Sequence, residues 1–339
     1  MKTPKRTNNI SAMKTIRIRL MQIAFMGIAC LPGSHHLLAQ DAHLSQFDAM
    51  PMMINPANTA MGDVDELRIG LQYRSQWASM GSNFTTTAAS FEMPIQERFG
   101  IGASLMSHNA ADVFNTLNFL VSGAYQISDP SQRHWHLSTG VQIGFLYNRI
   151  NMNNLLFESQ FDGSNFDPDL PSGEFLERRA TFSPDANVGI RYENTNRRKT
   201  VNPHVGFSLY HVSRPRENLT GENARRPLRY VLHGGARINI NKDFSIDPQI
   251  LYMRQRSAQE IMFGAMANIE LRDPYGLVFG AFYRNQDAFI IHAGVQHNRN
   301  VYRISYDVNS SGLSMATNNR GAIEVSVLYT PGRKRRHRF

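Results

Sequence analysis

The sequence predicts an all-β fold: a single-domain, transmembrane, antiparallel up-and-down β-barrel of about 14 strands. Three observations predict it. Segments of about ten residues alternate between apolar and polar side chains along most of the chain. The N-terminus has the pattern of an export signal. After that signal, no apolar run approaches the roughly 18 residues that a membrane-spanning helix requires.

The alternation is clearest in residues 66–77, which we take as the first strand. Because successive side chains of a strand point to opposite faces, this segment has one apolar face and one polar, cationic face. The apolar face carries Leu67, Ile69, Leu71, Tyr73 and Trp77, and the polar face carries Arg68, Gly70, Gln72, Arg74 and Gln76. One strand of a soluble sandwich would show the same alternation, so the remaining segments decide between the two folds.

Residues 1–39 are predicted to be a signal peptide. A basic region precedes the short apolar stretch 20–31, and Ala39 ends a plausible cleavage site; translation starts at Met1 or Met13. Cys30 leaves a lipoprotein signal as an alternative. Cleavage after Ala39 removes this cysteine, the only one in the chain, and would leave neither a disulfide framework nor a thiol nucleophile.

The net charge of +9 belongs mostly to the two ends of the chain. The predicted signal holds six basic and no acidic residues, and five more basic residues lie within 333–339. The remaining body carries 25 basic and 27 acidic residues, so the basic isoelectric point gives no argument for nucleic-acid binding.

The predicted order along the mature chain is a periplasmic lead-in or plug segment at 40–65, the barrel at 66–330 and a basic tail at 331–339. Pro51, Asn55-Pro56 and Gly62 interrupt any regular element in the lead-in. The alternating segments are 66–77, 85–93, 99–105, 117–127, 135–148, 186–192, 205–209, 230–240, 244–252, 261–271, 275–283, 289–297, 302–308 and 323–329. Long loops at 151–182 and 214–227 follow the fifth and seventh strands and should therefore be extracellular.

The polar faces of these strands should line the lumen. They carry Arg68, Arg74, Gln142, Arg191, His233, Arg237, Asn239, Arg254, Arg284 and Arg303. Two interpretations remain open: a packed or plugged lumen in which arginines pair with carboxylates, and an anion-selective pore. The bulky Gln, His and Tyr side chains on the same faces favour the plugged lumen.

No residue pattern predicts an enzyme, a metal site or a cofactor. His134 and His136 supply only two ligands of a zinc site, and the acidic residues of 162–169 lack the spacing of a calcium loop. His136 and Ser138 share a face, but no base-orienting partner can be chosen.

Four separated stretches resemble the PorP/SprF family of type IX secretion system outer-membrane proteins. They are Leu44-Ser-Gln-Phe47 with Asn55-Pro-Ala57 and Gly62; Tyr73-Arg-Ser-Gln-Trp77; Asp185-Ala-Asn-Val-Gly-Ile-Arg-Tyr192; and Tyr306-Asp-Val-Asn-Ser-Ser-Gly-Leu313 with Gly321-Ala-Ile-Glu-Val-Ser-Val-Leu-Tyr329. Taken in this order, the four stretches span nearly the whole mature chain.

The resemblance implies an outer-membrane component of a Bacteroidota-type protein secretion or gliding system. Such proteins support secretion or surface attachment of exported proteins that carry a C-terminal sorting domain, and work with periplasmic ring or peptidoglycan-binding components. The alternative function is a porin or transporter for small polar or anionic solutes. The candidate partner contacts are Ser45, Gln46, Phe47, Asn55 and Pro56 for the periplasmic machinery, and Asp162, Asp167, Asp169, Arg214, Arg216, Arg225 and Arg226 for the extracellular cargo.

Overall fold

The computed structural model describes residues 41–62, 67–77, 83–129, 134–152, 179–196, 198–217, 224–312 and 320–332, with short pieces at 131, 158–161, 165, 167 and 170–171. These residues contain fourteen strands. They are β1 (Arg68–Gln76), β2 (Phe84–Gln96), β3 (Phe99–Ala110), β4 (Phe114–Gln126), β5 (Trp135–Ile150), β6 (Ala180–Asn194), β7 (Val201–Tyr210), β8 (Arg229–Asn239), β9 (Phe244–Gln255), β10 (Ala258–Glu270), β11 (Tyr275–Arg284), β12 (Ala288–His297), β13 (Asn300–Asn309) and β14 (Arg320–Tyr329). Each pairs with its sequence neighbours in one closed barrel.

The alternation seen in the sequence becomes an apolar outer surface. Phe182 is 66% exposed and Ile143 is 65% exposed, whereas the alternate residues of the same strands are buried in the lumen. A soluble protein does not expose large apolar side chains around its whole circumference, whereas a barrel in a bilayer does. Aromatic pairs flank this apolar band at both ends of the strands, for example Phe145–Phe182 and Phe99–Tyr125. The predicted transmembrane barrel is therefore confirmed.

Strands β1 and β14 close the barrel. They are antiparallel, with Leu71 opposite Val327 and Tyr73 opposite Val325. Closure gives every strand two neighbours and leaves no open sheet edge in the hydrocarbon layer.

Several strands are longer than the sequence predicts, and two differences concern the faces of β6 and β9. Strand β6 begins at Ala180 rather than at residue 186, because Thr181 and Ser183 are buried while Phe182 faces outward, which continues the strand into the expected loop. Arg254 is exposed and lies opposite the outward-facing Tyr230, so it does not line the lumen. The alternate face of β9 instead contributes the buried Leu251 to the lumen.

The two ends of the barrel differ. The loop end carries the connections that follow the odd-numbered strands, including the long ones at 151–179 and 211–228. The turn end carries the shorter connections that follow the even-numbered strands, the start of β1 and the end of β14. Among the described residues, no helix is long and apolar enough to cross a membrane.

Candidate functional site, a plug segment inside the barrel

Residues 41–62, which we name the plug segment, run through the lumen. Prolines at 51 and 56 begin two short 3-10 turns, and no strand-like alternation is present. The segment hydrogen-bonds lumen-facing side chains on opposite sides of the barrel, from Gln142 of β5 to Glu324 of β14. It starts at the loop end, beside the residues that follow β7, and finishes at the turn end. The lead-in is therefore packed within the barrel.

Asp41 anchors the plug segment at the loop end. Its carboxylate lies 2.7 Å from Nε2 of His211, 3.1 Å from Arg229 and 3.3 Å from Arg226. Its backbone N–H donates to Gln255. All four partners lie in or beside the connections after β7 and β9, so the loop end holds the start of the plug by charge.

The surroundings of Asp41 and His211 favour the charged form of each side chain, and so favour the ion pair between them. Burial alone would raise the pKa of Asp41, but His211, Arg229 and Arg226 hold that pKa well below its usual range. Burial alone would lower the pKa of His211, yet Asp41 and Asp185 raise it. The ring is held between these two carboxylates, 2.7 Å from Asp41 and 2.9 Å from Asp185. A carboxylate and an imidazolium at these distances stabilise each other's charged forms.

The next anchor is a buried cluster of Arg74, Arg284, Asp307 and Glu324, which we name the carboxylate cluster. Arg74 pairs with Asp307 at 2.9 Å and with Glu324 at 3.1 Å, and Arg284 lies 3.2 Å from Asp307. Ser45 completes the cluster. Its hydroxyl donates to Asp307 at 2.7 Å and accepts from both arginines, and its backbone N–H donates to Glu324 at 2.8 Å.

Gln46, Phe47 and Asp48 continue this anchor. The backbone N–H of Gln46 donates to Glu324 at 2.7 Å, and its side chain bonds Ser305 and Ser326. Asp48 receives two hydrogen bonds from Arg303, at 2.7 and 3.0 Å. Phe47 instead packs into an apolar part of the wall, edge-on to Phe282. That part of the wall comprises Tyr210, Val231, Leu251, Met262, Met266, Val278, Phe282, Ala288 and Ile290.

The turn around Asn55 and Pro56 fits closely against β5, β6 and β7. The Asn55 side chain caps its own turn by accepting from the N–H of Ala57, and it donates to the Ile190 carbonyl at 2.9 Å. Ser138 donates to the Ala57 carbonyl, so the serine that shares a face with His136 is used for packing. Gly140 is required at this contact, because a Cβ there would overlap the Pro56 backbone.

At the turn end, Glu92 joins the plug to the barrel entrance. It accepts from the Ala60 N–H at 2.8 Å and pairs with Arg68 at the start of β1. Glu92 is fully buried, so its charge depends on these partners. The plug segment is therefore fixed at both ends and in the middle.

The structure brings together five of the predicted contact residues and separates the others. Ser45, Gln46, Phe47, Asn55 and Pro56 are all buried in the lumen, as the plug interpretation of this segment expects, and their contact with periplasmic machinery stays a prediction. Arg214, Arg216 and Arg225 are exposed at the loop end. Arg226 is partly buried between Asp41 and Glu217. The N–H of Asp167 donates to the Gln160 carbonyl. Asp162 and Asp169 lie outside the described residues, as do residues 1–39 and most of the tail.

Sequence reasoning missed the partners of the plug and the apolar side of the lumen. Glu324, Asp307 and Glu92 were not selected, although each is a carboxylate on a predicted strand. Their alternation places them on the polar face, which is the signal that could have identified them as partners of the lumen arginines.

The model of a family described as type IX secretion system membrane protein PorP/SprF matches residues 37–329. No curated protein matches the sequence.

Several solved structures resemble the barrel at low identity. The Ralstonia pickettii toluene transporter TbuX has a TM-score of 0.49 and 11% identity, covering 82% of this chain and 91% of its own. The Pseudomonas putida toluene transporter TodX has a TM-score of 0.48 and 9% identity, covering 82% and 91%. A Pseudomonas aeruginosa FadL homologue has a TM-score of 0.46 and 12% identity, covering 81% and 92%.

Proposed function

The chain belongs to the PorP/SprF family of type IX secretion system membrane proteins, and from that premise we propose that it is a non-enzymatic outer-membrane component that supports secretion or surface attachment of exported proteins. Membership implies contacts with other components of the secretion system. The loop end would face the cell exterior, and the turn end would face the periplasm.

The plug segment packed inside the lumen is the observation that supports a protein-contact function over a diffusion pore. The plug segment is held by ion pairs from Asp41 and Asp48 and by hydrogen bonds to the carboxylate cluster and to Glu92. Breaking a buried ion pair is costly, so the plug is expected to remain seated at rest. The alternative function, a porin for small polar or anionic solutes, would require a route past this segment.

The loop end offers the surface for an exported partner. Arg214, Arg216 and Arg225 are exposed there. Val212 of the same connection is 44% exposed, and Phe161 of the connection after β5 is 46% exposed. Arg226 of the same connection pairs with Asp41, so this surface is bonded directly to the start of the plug. A partner that binds this loop would therefore contact the connection whose Arg226 is paired with the plug segment in the lumen.

Conductance in planar bilayers tests whether the plug segment closes the lumen. The intact protein should show no steady open channel, whereas Gly140→Val should produce openings, because the added side chain displaces the Pro56 turn. Gly123→Val is the matched control, since a Cβ at Gly123 meets no atom within 4 Å. A steady channel in the intact protein would favour the porin alternative.

The test of the secretion function is the amount of exported protein on the cell surface. Replacing Arg214, Arg216 and Arg225 together with glutamate should reduce surface display of the cognate exported protein while leaving barrel assembly unchanged. Arg272→Glu, a substitution of an exposed arginine at the turn end, serves as the control. Undiminished display in the triple variant would argue against cargo contact through this loop.

A further inference from the structure

The outer face of β8, β9 and β10 becomes polar toward the loop end. The register of these strands places their outward-facing residues in three rows. From the apolar band to the rim, the rows are Gly234, Ile250 and Phe263; then Leu232, Tyr252 and Ile261; and finally Tyr230, Arg254 and Gln259. Neighbouring rows are two residues apart along a strand, which is about 7 Å. The surface therefore changes from apolar to cationic within about 14 Å.

Two exposed arginines, Arg254 and Arg256, end this surface at the rim. The Nε of Arg254 donates to the carbonyl oxygen of Arg256 at 3.3 Å, which joins the two residues. Among the described residues, no carboxylate pairs with either guanidinium group, and the next acidic residue of the chain, Glu260, instead faces the lumen and pairs with His43. Both positive charges are therefore available to an external anion.

Arg256 occupies a backbone position that suits glycine or asparagine better. It begins the two-residue turn between β9 and β10 and has a φ of 55°, in the left-handed region. Two-residue hairpin turns prefer glycine and asparagine in this region. An arginine there keeps a guanidinium group at the tip of the turn at some cost in backbone strain, and a ligand-binding role would account for that cost.

The opposite end of the same strands differs. There β8 and β9 are joined by the turn 241–243, in which Lys242 and Asp243 carry opposite charges. Ile240, beside this turn, is 53% exposed. The two arginines thus distinguish the loop end, which meets the outer leaflet in the proposed orientation, from the turn end, which meets the inner leaflet.

We propose that Arg254 and Arg256 bind a phosphate group of lipopolysaccharide, the lipid of the outer leaflet. A guanidinium group can bind phosphate oxygens through two parallel hydrogen bonds, and two such groups lie together at this point of the rim. The rows below them fit the rest of the lipid. Its acyl chains lie against Ile250 and Phe263, and its phosphorylated sugar lies against Tyr230, which is 44% exposed. The inference rests on the proposed function, in which the loop end faces the cell exterior.

The test places the full mature chain in phosphatidylcholine nanodiscs, with an environment-sensitive fluorophore on Gln259→Cys. Gln259 lies directly opposite Arg254 on the outer face, so the fluorophore reports binding at this site. Bisphosphorylated lipid A should produce a saturable change in fluorescence. Dephosphorylated lipid A keeps the acyl chains and sugars but lacks the group that the arginines bind, so its midpoint should lie at least about tenfold higher. Equal midpoints for the two lipids would overturn the proposal, and so would phosphatidylglycerol acting at the same concentration as lipid A.

A double variant locates the binding. Arg254→Gln/Arg256→Gln, made with the same fluorophore, should raise the midpoint for bisphosphorylated lipid A about tenfold. Both arginines are exposed, so the barrel should still fold, and its heat-modifiable mobility on gels checks this. Arg272→Gln, at an exposed arginine of the turn end, should leave the midpoint unchanged. An unchanged midpoint in the double variant would overturn the assignment. Lipid A binding is measured without cargo, so its failure would leave the surface-display result for the loop arginines unaffected, and the reverse also holds.

Discussion

Glu324 is a buried carboxylate of the lumen with several partners. It accepts the backbone N–H groups of Ser45 and Gln46 and pairs with Arg74, and none of its side chain is exposed. A single acid thus joins the last strand, the first strand and the plug. At the residue scale, the packing of the lumen depends on such shared acceptors rather than on isolated pairs.

Glu324→Ala should destabilise the barrel by about 3–5 kcal/mol, because Arg74 and two plug amides would lose their buried acceptor. Unfolding in urea, followed by the heat-modifiable mobility of the barrel on gels, would measure the loss. Glu97→Gln, in the exposed turn after β2, should change the same transition by less than about 0.5 kcal/mol. Similar shifts for the two variants would contradict the assigned role of Glu324.

The Asp41 anchor should weaken as the pH rises. Asp41 stays ionised at neutral pH because its pKa is depressed, so its contribution is lost only in strong acid. The pKa of His211 is raised, so the stabilisation from its positive charge is fully present at pH values below the ordinary pKa of histidine. That stabilisation is lost as the pH rises through the raised pKa of His211. The charged and titratable groups that face this site are Asp185, Arg226, Arg229 and Glu217.

The measurement is the reaction rate of a thiol probe with Ala42→Cys at about pH 6 and about pH 9. The rate is compared at each pH with that of the Ala42→Cys/His211→Gln double variant, which corrects for thiol ionisation. The single variant should be better protected at the lower pH and approach the double variant at the higher pH. A ratio that does not change with pH would exclude His211 as the titrating group.

At the element scale, the outer faces of the strands could be predicted and the inner faces only in part. Lipid accepts only apolar side chains, so Leu71, Ile143 and Val325 follow from alternation alone. The lumen face packs against the plug, which presents Phe47 to one side and polar groups to the other. A plug at 40–65 could be predicted, but the segment has no period and its partners lie up to 280 residues away in the sequence, so its individual contacts with the wall were not predictable.

Strand closure gives a test at the same scale. Tyr73→Cys with Val325→Cys should form a disulfide under mild oxidation, because the two residues are direct partners across β1 and β14. Ile69→Cys with Val325→Cys is the matched control. Ile69 lies opposite Tyr329, four residues from Val325, so this pair should not crosslink. The opposite outcome would indicate a different register for the closing pair.

At the scale of the whole molecule, the described part of the chain passes through the lumen once before it forms the wall. The plug segment runs from the loop end at Asp41 to the turn end near Gly62, and β1 then begins at the turn end. The number of strands and the places of the long loops agree with the sequence prediction. The path of the plug connects the two ends, so a partner at either end meets part of the same segment.

The orientation of the barrel in the membrane is the last prediction. Long loops outside and short turns in the periplasm are the rule for bacterial barrels, which places the loop end on the cell surface. Arg225→Cys at the loop end and Arg272→Cys at the turn end exchange two exposed arginines for thiols. Because Cys30 is the only native cysteine and lies in the predicted signal peptide, an impermeant maleimide should report the introduced thiols alone.

On intact cells, Arg225→Cys should be labelled, and Arg272→Cys should react only after the outer membrane is permeabilised. Ala42→Cys, at the start of the plug, should also be labelled from outside, though more slowly because it is half-buried. The reverse order for Arg225 and Arg272 would place the long loops in the periplasm and overturn the assignment of extracellular cargo contacts.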